Sequence, residues 1–176
     1  VRRHAMPATY ICSHCGQQHE GLPTDWGFKL PDSVHQLTYL ARYARARHNN
    51  DLCTLDDERF FIRTLLPTPL IEQEGVCFNW GVWVEVEKST HDLYIRSWDE
   101  DISAAPRTEG KLANEIPVHE GSLGMPVEVQ FLPGTDRPKV WFPHDATHAA
   151  AIEQRTGISG KRHHDILVGL GHFGNE

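Results

Sequence analysis

The residues best suited to chemistry lie in "YICSHCGQQHEGLP", residues 10–23, where two residues separate Cys12 from Cys15 and His19 follows four after the second. Three readings compete for such a pair: two thiolates gripping a zinc ion, a redox dithiol, or an ordinary turn. A redox pair needs a helix N-terminus to lower its thiol pKa. Here the chain runs on into "GQQHEGLP", which starts no helix. Gly16 permits the tight backbone of a metal knuckle, and thiolate plus neutral imidazole suits Zn²⁺. Zinc is therefore the expected cofactor.

A thiolate pair is half a site. The remaining ligands are expected to be His19 and Cys53, so that Cys12, Cys15, His19 and Cys53 close a tetrahedral, structural centre. His19 also reads as a solvated loop histidine, and Cys53, in "DLCTL", as a small buried strand residue. If only three of the four bind, water takes the fourth place and a metal-bound hydroxide becomes available. His148 or Glu20 would then serve as the base. Cys77 neighbours Phe78 and Trp80 and is expected in the core.

Other polar groups are weaker candidates. Asp145 is expected to cap a late helix, leaving His144 outside it and unpaired with His148. His163, His164 and His172 read as surface histidines. Asp56, Asp57 and Glu58 form a solvated turn, and Arg63, set between apolar neighbours, requires a carboxylate partner. Trp80, Trp83, Trp98 and Trp141 are expected to pack in core and sheet rather than form a ligand cage. The chain contains no G-x-S-x-G, P-loop, G-x-G-x-x-G or H-E-x-x-H pattern. No reaction is indicated, and whether the protein is an enzyme stays open.

The elements that must position these residues follow from pattern. "TYIC" enters the knuckle as a strand. Residues 31–50 carry apolar residues at helical spacing behind a Ser33/Gln36 capping box. "DLCTL" and "RFFIRTLL" form a hairpin closed by Pro67 and Pro69, and "VCFNWGVWVEVE" a long strand in which Gly81 marks a bulge or a close backbone approach. Residues 99–126 are irregular apart from a short element near Lys111–Ile116. "PVEVQFL" and "PKVWF" form a second hairpin, and two helices follow, the first stopped by Gly157 and the second started by Ser159. This order is α+β, with a mostly antiparallel sheet, one helix before the strands and two at the C-terminus.

Bulk properties set further bounds. The 176 residues, 39% hydrophobic and 23% charged, suit one soluble domain over residues 8–176, with a disordered leader at 1–7 and the knuckle segment at 8–30. No apolar run reaches membrane-spanning length. "VRRHAMPATY" lacks the apolar stretch of a secretory signal, so a reducing cytoplasm is expected and the four cysteines are not read as disulfides. A net charge of −7 argues against nucleic-acid binding. Arg42, Arg45, Arg47 and His48 are expected to complement the dipole at a helix end.

Four phrases, "CSHCGQQHEGLP" (12–23), "DLCTLDDERFFIRTLLPTPL" (51–70), "FNWGVWVEV" (78–86) and "HAAAIEQRTGI" (148–158), resemble the bacterial proteins grouped as domain of unknown function 2199. The family usually has an acidic residue before the late histidine and Pro-Leu after it; Thr147 and Ala149-Ala150 stand there instead. The resemblance implies a shared fold and metal site, and no activity. The function expected is a cytoplasmic binding or interaction module with a structural zinc and an unknown protein partner. A zinc-dependent hydrolase with an open site is the first alternative, and a metal-free acidic or toxin-neutralising protein the second.

Overall fold

The computed structural model describes residues 9–11, 18–20 and 24–171. Strand β1 (Thr9–Ile11) pairs antiparallel with β2 (Gln18–Glu20) as a separate two-stranded sheet. Cys12 and Cys15, and with them the expected zinc knuckle, lie outside the described residues.

Everything else is built on two long strands, β6 (Arg59–Pro69) and β7 (Cys77–Val86). They run antiparallel from Phe60↔Val86 to Pro69↔Cys77. Their outer edges each serve two neighbours in turn. On β7, β3 (Asp25–Gly27) lies parallel to residues 79–81, and β8 (Thr108–Leu112) pairs with Val84 and Glu85. On β6, β5 (Leu52–Leu55) takes residues 59–62, with β4 (Ala46–His48) at its edge, and β10 (Lys139–Trp141) runs parallel at Leu65. Strand β9 (Pro126–Gln130) joins β8 to β10, so β6, β7, β8, β9 and β10 close into a five-stranded barrel. The architecture is α+β, as the element order predicts, but the sheet curls shut.

Strand alternation sorts the core into two clusters. Ile62 and Leu66 of β6 and Phe78, Trp80, Val82, Val84 and Val86 of β7 belong to the larger cluster, with Val127, Val129 and Val140. Phe61 and Trp83 point the other way, into a smaller cluster with Val34, Ala46, Cys53, Leu55 and Ala113. Asn114 binds that second face together. Its Oδ1 accepts from the Trp83 amide at 2.8 Å, and its Nδ2 donates to Leu30 O and Asp32 Oδ1, both at 2.9 Å.

The helices depart from expectation in three places. Residues 31–50 form two short helices, α1 (Asp32–His35) and α2 (Tyr39–Arg45), not one. Thr38 breaks the run by capping α2, its Oγ1 accepting from the Ala41 amide. Arg42 donates to the carbonyls of Val34, His35 and Leu37 freed at the break, while Arg47 and His48 belong to β4. Helix α3 (Lys88–Arg96) buries only Thr90, His91 and Tyr94, too thin an apolar stripe to announce it. Helix α4 (Ala149–Thr156) is capped by His148 rather than Asp145, and α5 (Gly160–Gly169) by Ser159 as expected. None of the helices among the described residues is long and apolar enough to cross a membrane.

Pro67 and Pro69 do not end β6. The Leu70 amide bonds to Val76 O, so the ladder alternation puts both prolines at positions that owe β7 no N–H. Asp56 and Asp57 both take positive φ (55° and 53°) beneath a Glu58 N–H to Leu55 O bond, the turn that suits a right-twisted hairpin.

Gly81 marks a close approach rather than a bulge. It faces Gly27 across the parallel β3–β7 pair, and a Cβ on it would stand 3.0 Å from Gly27 Cα and 3.5 Å from Trp26 O. Those are backbone atoms and cannot swing aside. Gly81→Ala should therefore cost about 1–3 kcal/mol, the usual range for overpacking. Urea unfolding checks this; a midpoint unchanged from the parent would contradict the contact.

Candidate functional site

The four expected metal ligands are not brought together among the described residues. Cys12 and Cys15 fall outside them. His19 lies in β2 opposite Tyr10. Ile11 and Gln18 are cross-strand partners, so the segment carrying both cysteines connects two paired residues. Cys53 lies in β5 opposite Phe61 and is 0% exposed within the smaller apolar cluster. Burial pushes its thiol pKa up to about 11. The ligand reading of Cys53 turns on Cys12 and Cys15, which lie outside the described residues. Among the described residues no group of three or more His, Cys, Asp or Glu side chains could hold a metal ion. Cys77 is half-buried, and neither Cys53 nor Cys77 forms a disulfide.

The densest polar network lies elsewhere, where the loop before β9 meets α4 and α5. His119, almost fully buried, contacts Glu153 Oε2 through Nε2 at 2.9 Å. Glu153 Oε1 accepts from Arg162 Nε at 2.6 Å. The His148 ring lies edge-on to His119 at 6.1 Å between centroids. His148 Nδ1 accepts the Ala150 amide at 3.1 Å, which leaves the proton on Nε2, 2.9 Å from Glu120 O. Both nitrogens of His148 are thus engaged in capping α4 and tethering the loop, which leaves no lone pair for the base role open to it from sequence.

The loop itself is stapled from within. Glu115 accepts from the amides of Ser122 (3.2 Å) and Leu123 (2.9 Å), and the buried Ser122 Oγ accepts from the Ile116 amide at 2.8 Å. Ser122, His119 and Glu153 are residue types known from hydrolytic triads. Here the serine hydroxyl is fully buried as an acceptor, so the arrangement holds the loop rather than presenting a nucleophile. Nothing in the spacing of His119, Glu153 and Arg162 signals this network; the one hint is that Glu153 falls within a family phrase.

Other expectations divide. Trp80 and Trp83 are core residues as predicted, and the Trp83 indole donates to Phe28 O at 3.1 Å. Trp141 donates to Gln130 Oε1 at 2.8 Å. His144 is exposed and outside the helix, whereas His163 is buried against Phe78, contrary to the surface reading. His172 lies outside the described residues. Arg63 has no carboxylate partner among the described residues: Asp51 Oδ1 is bonded instead to Arg137 Nε at 3.0 Å.

The Glu153 network makes stability depend on acid. Burial alone would raise the Glu153 pKa, but the hydrogen bonds from His119 and Arg162 outweigh it and hold the carboxyl below its ordinary 4.5. A depressed carboxylate stabilises fully above its unfolded value and loses that contribution as pH falls through the folded one. Glu153→Gln should lower stability by about 1–3 kcal/mol at neutral pH, because the neutral amide offers one acceptor oxygen in place of two and no charge to Arg162. It should also flatten the melting-temperature decline as pH falls below the ordinary carboxyl value of 4.5. An unaltered pH profile would contradict this.

Searches among curated proteins and solved structures find no match to the chain. A family does match, over residues 11–158, which include β2, the barrel and α4. The chain therefore belongs to the family described as "Uncharacterized protein conserved in bacteria (DUF2199)".

Proposed function

We propose that the protein is a binding module that docks an acidic protein partner on α2 and β4, with a structural zinc ordering its N-terminal hairpin. The observation that carries this reading is the surface of α2. That helix buries none of its residues, and Tyr39, Leu40 and Tyr43 are 78%, 75% and 77% exposed. Large apolar side chains clustered in this way mark interaction sites, and tyrosine is favoured there because its ring is apolar and its hydroxyl polar. They border a shallow cavity of about 560 Å³ completed by Arg42, Ala46, Arg47 and His48, with no carboxylate in its wall. In a chain of net charge −7 this basic wall selects an acidic surface.

Support for the zinc comes from the hairpin pairing. Ladder geometry keeps the ends of the cysteine-bearing segment about 5 Å apart, a span over which two thiolates reach one ion at about 2.3 Å. Cys12, Cys15 and His19 are the ligands proposed, with water in the fourth place, and Cys53 stays in the apolar cluster. Free thiols at Cys53 and Cys77 are in keeping with a reducing, cytoplasmic setting.

Site-specific photo-crosslinking in bacterial cells tests the docking surface. A photoreactive residue at Tyr43 should give a discrete adduct that maps to an acidic stretch of one partner and is lost with Arg47→Glu. The same group at Ile152, 43% exposed on α4, should not give it. Equal adducts at both positions, or insensitivity to the charge reversal, would overturn the reading.

A further inference from the structure

Helix α3 is held to the barrel by few side chains. Of its nine residues only Thr90, His91 and Tyr94 are buried. Its N-cap residue, Glu87, makes no side-chain bond to the helix, and the first turn contains no acidic residue to complement the dipole. An element with so little buried apolar surface opens at a small part of the global free energy. Tyr94 stacks on Phe131 with 5.9 Å between ring centroids, and His91 lies tilted against Phe60 of β6 at 5.2 Å. Those two rings are the aromatic anchors of the helix.

His91 is the anchor that can change. It is 6% exposed, and its Nε2 is buried with no hydrogen-bond partner among the described residues. A neutral imidazole in this apolar contact leaves one polar atom unsatisfied. An imidazolium has two N–H donors and a charge to place, and the desolvation cost of an unpaired charge is far larger. His91 is also the fourth residue of α3, within the first turn, where the positive end of the helix dipole opposes a cation.

Among the described residues no neighbouring group takes up that charge. On its own helix, Asp92 and Lys88 are bonded to each other at 2.8 Å. Glu87 accepts the His91 amide at its carbonyl, and it lines an open cavity with Glu109 and Lys111. Strand β6 presents Phe60, whose cross-strand partners are Thr54 and Val86. Arg59 and Glu85 bond to each other on the opposite face of the sheet, with Arg59 over Phe61. Asp51 and Arg137, also a pair, act on Tyr94 farther along the helix.

We propose that His91 is a pH-sensitive latch: α3 stays docked on β6 while the imidazole is neutral, and protonation of the ring from solvent releases the helix and uncovers Phe60. Burial lowers the His91 pKa below its ordinary 6.5, with Asp92 partly offsetting the effect and Lys88 adding to it. The docked helix therefore binds the proton less well than the released one. Docking has its full stability above pH 6.5 and weakens as pH falls below it. The Glu153 network is intact through this window, because its own change lies below 4.5. The latch is separate from the α2 surface and from the cysteine-bearing hairpin, and does not depend on either.

Amide hydrogen exchange of the full chain between about pH 7.5 and 5.5, corrected for the intrinsic exchange rate, tests the latch. Protection of the α3 amides should fall by up to about tenfold over that range, the limit for one group whose exposed value is 6.5. Protection along β6 and β7 should stay constant. His91→Phe keeps a ring against Phe60 and takes up no proton, so its α3 protection should be level across the range. Where the bulkier ring disturbs folding, His91→Gln gives the same comparison, and thermal melting verifies that each variant is folded. Constant α3 protection in the parent, or the same fall in the variants, would overturn the proposal. So would a fall shared by β6 and β7, because the whole barrel would then be titrating.

Discussion

The ladder between β6 and β7 is the constraint on which the other elements depend. It is the longest pairing among the described residues, and each of its strands is covered on both faces. Because side chains alternate, a slip of one residue would exchange Trp80, Val82 and Val84 for Asn79, Gly81 and Trp83 in the larger cluster. The register is therefore held by volume on two sides at once. Both strands then use their outer edges twice, with β3 and β8 on one and β5 and β10 on the other. Barrel closure and the docking of β3 both follow from that double use.

Polar staples finish what the ladder begins. Asn114 lies fully buried between Trp83 and the segment leading into α1, so all its hydrogen bonds go to protein groups. Glu153 plays the same part on the other side, between the loop before β9 and α5. Each is a polar group in a low-dielectric setting, where the interaction is strong if complete and costly if broken. Arg63 differs from both. It is set in the same framework with its Nε buried and without a hydrogen-bond partner.

The strands were largely legible because their signals are local. β-branched and aromatic residues bounded by turns announce β6 and β7, and Ser159 announces α5. Helix boundaries were less legible: Thr38 competes with the Ser33/Gln36 capping box, and only the Arg42 contacts with α1 show why Thr38 prevails. His148 as a cap could not be read because imidazole is not among the usual capping side chains. Barrel closure rests on a parallel pair between β6 and β10, distant in sequence. Periodicity records which faces are apolar and does not record which edges meet. For the same reason the His119–Glu153–Arg162 network and the Asp51–Arg137 pair were invisible, and the carboxylate expected to partner Arg63 is not found among the described residues.

The proposed function implies two separable units, a cysteine-bearing hairpin ordered by zinc and a barrel held by its own core. A structural zinc can contribute about 10–16 kcal/mol, as much as a whole domain's stability of about 5–15 kcal/mol, so the two cases differ sharply. Hydrogen exchange on the zinc-loaded chain, before and after chelation, measures this directly. The account predicts one equivalent of zinc, faster exchange in residues 9–20 after its removal, and unchanged protection along β6 and β7. Loss of protection throughout the barrel, or no bound zinc and no change anywhere, would contradict it.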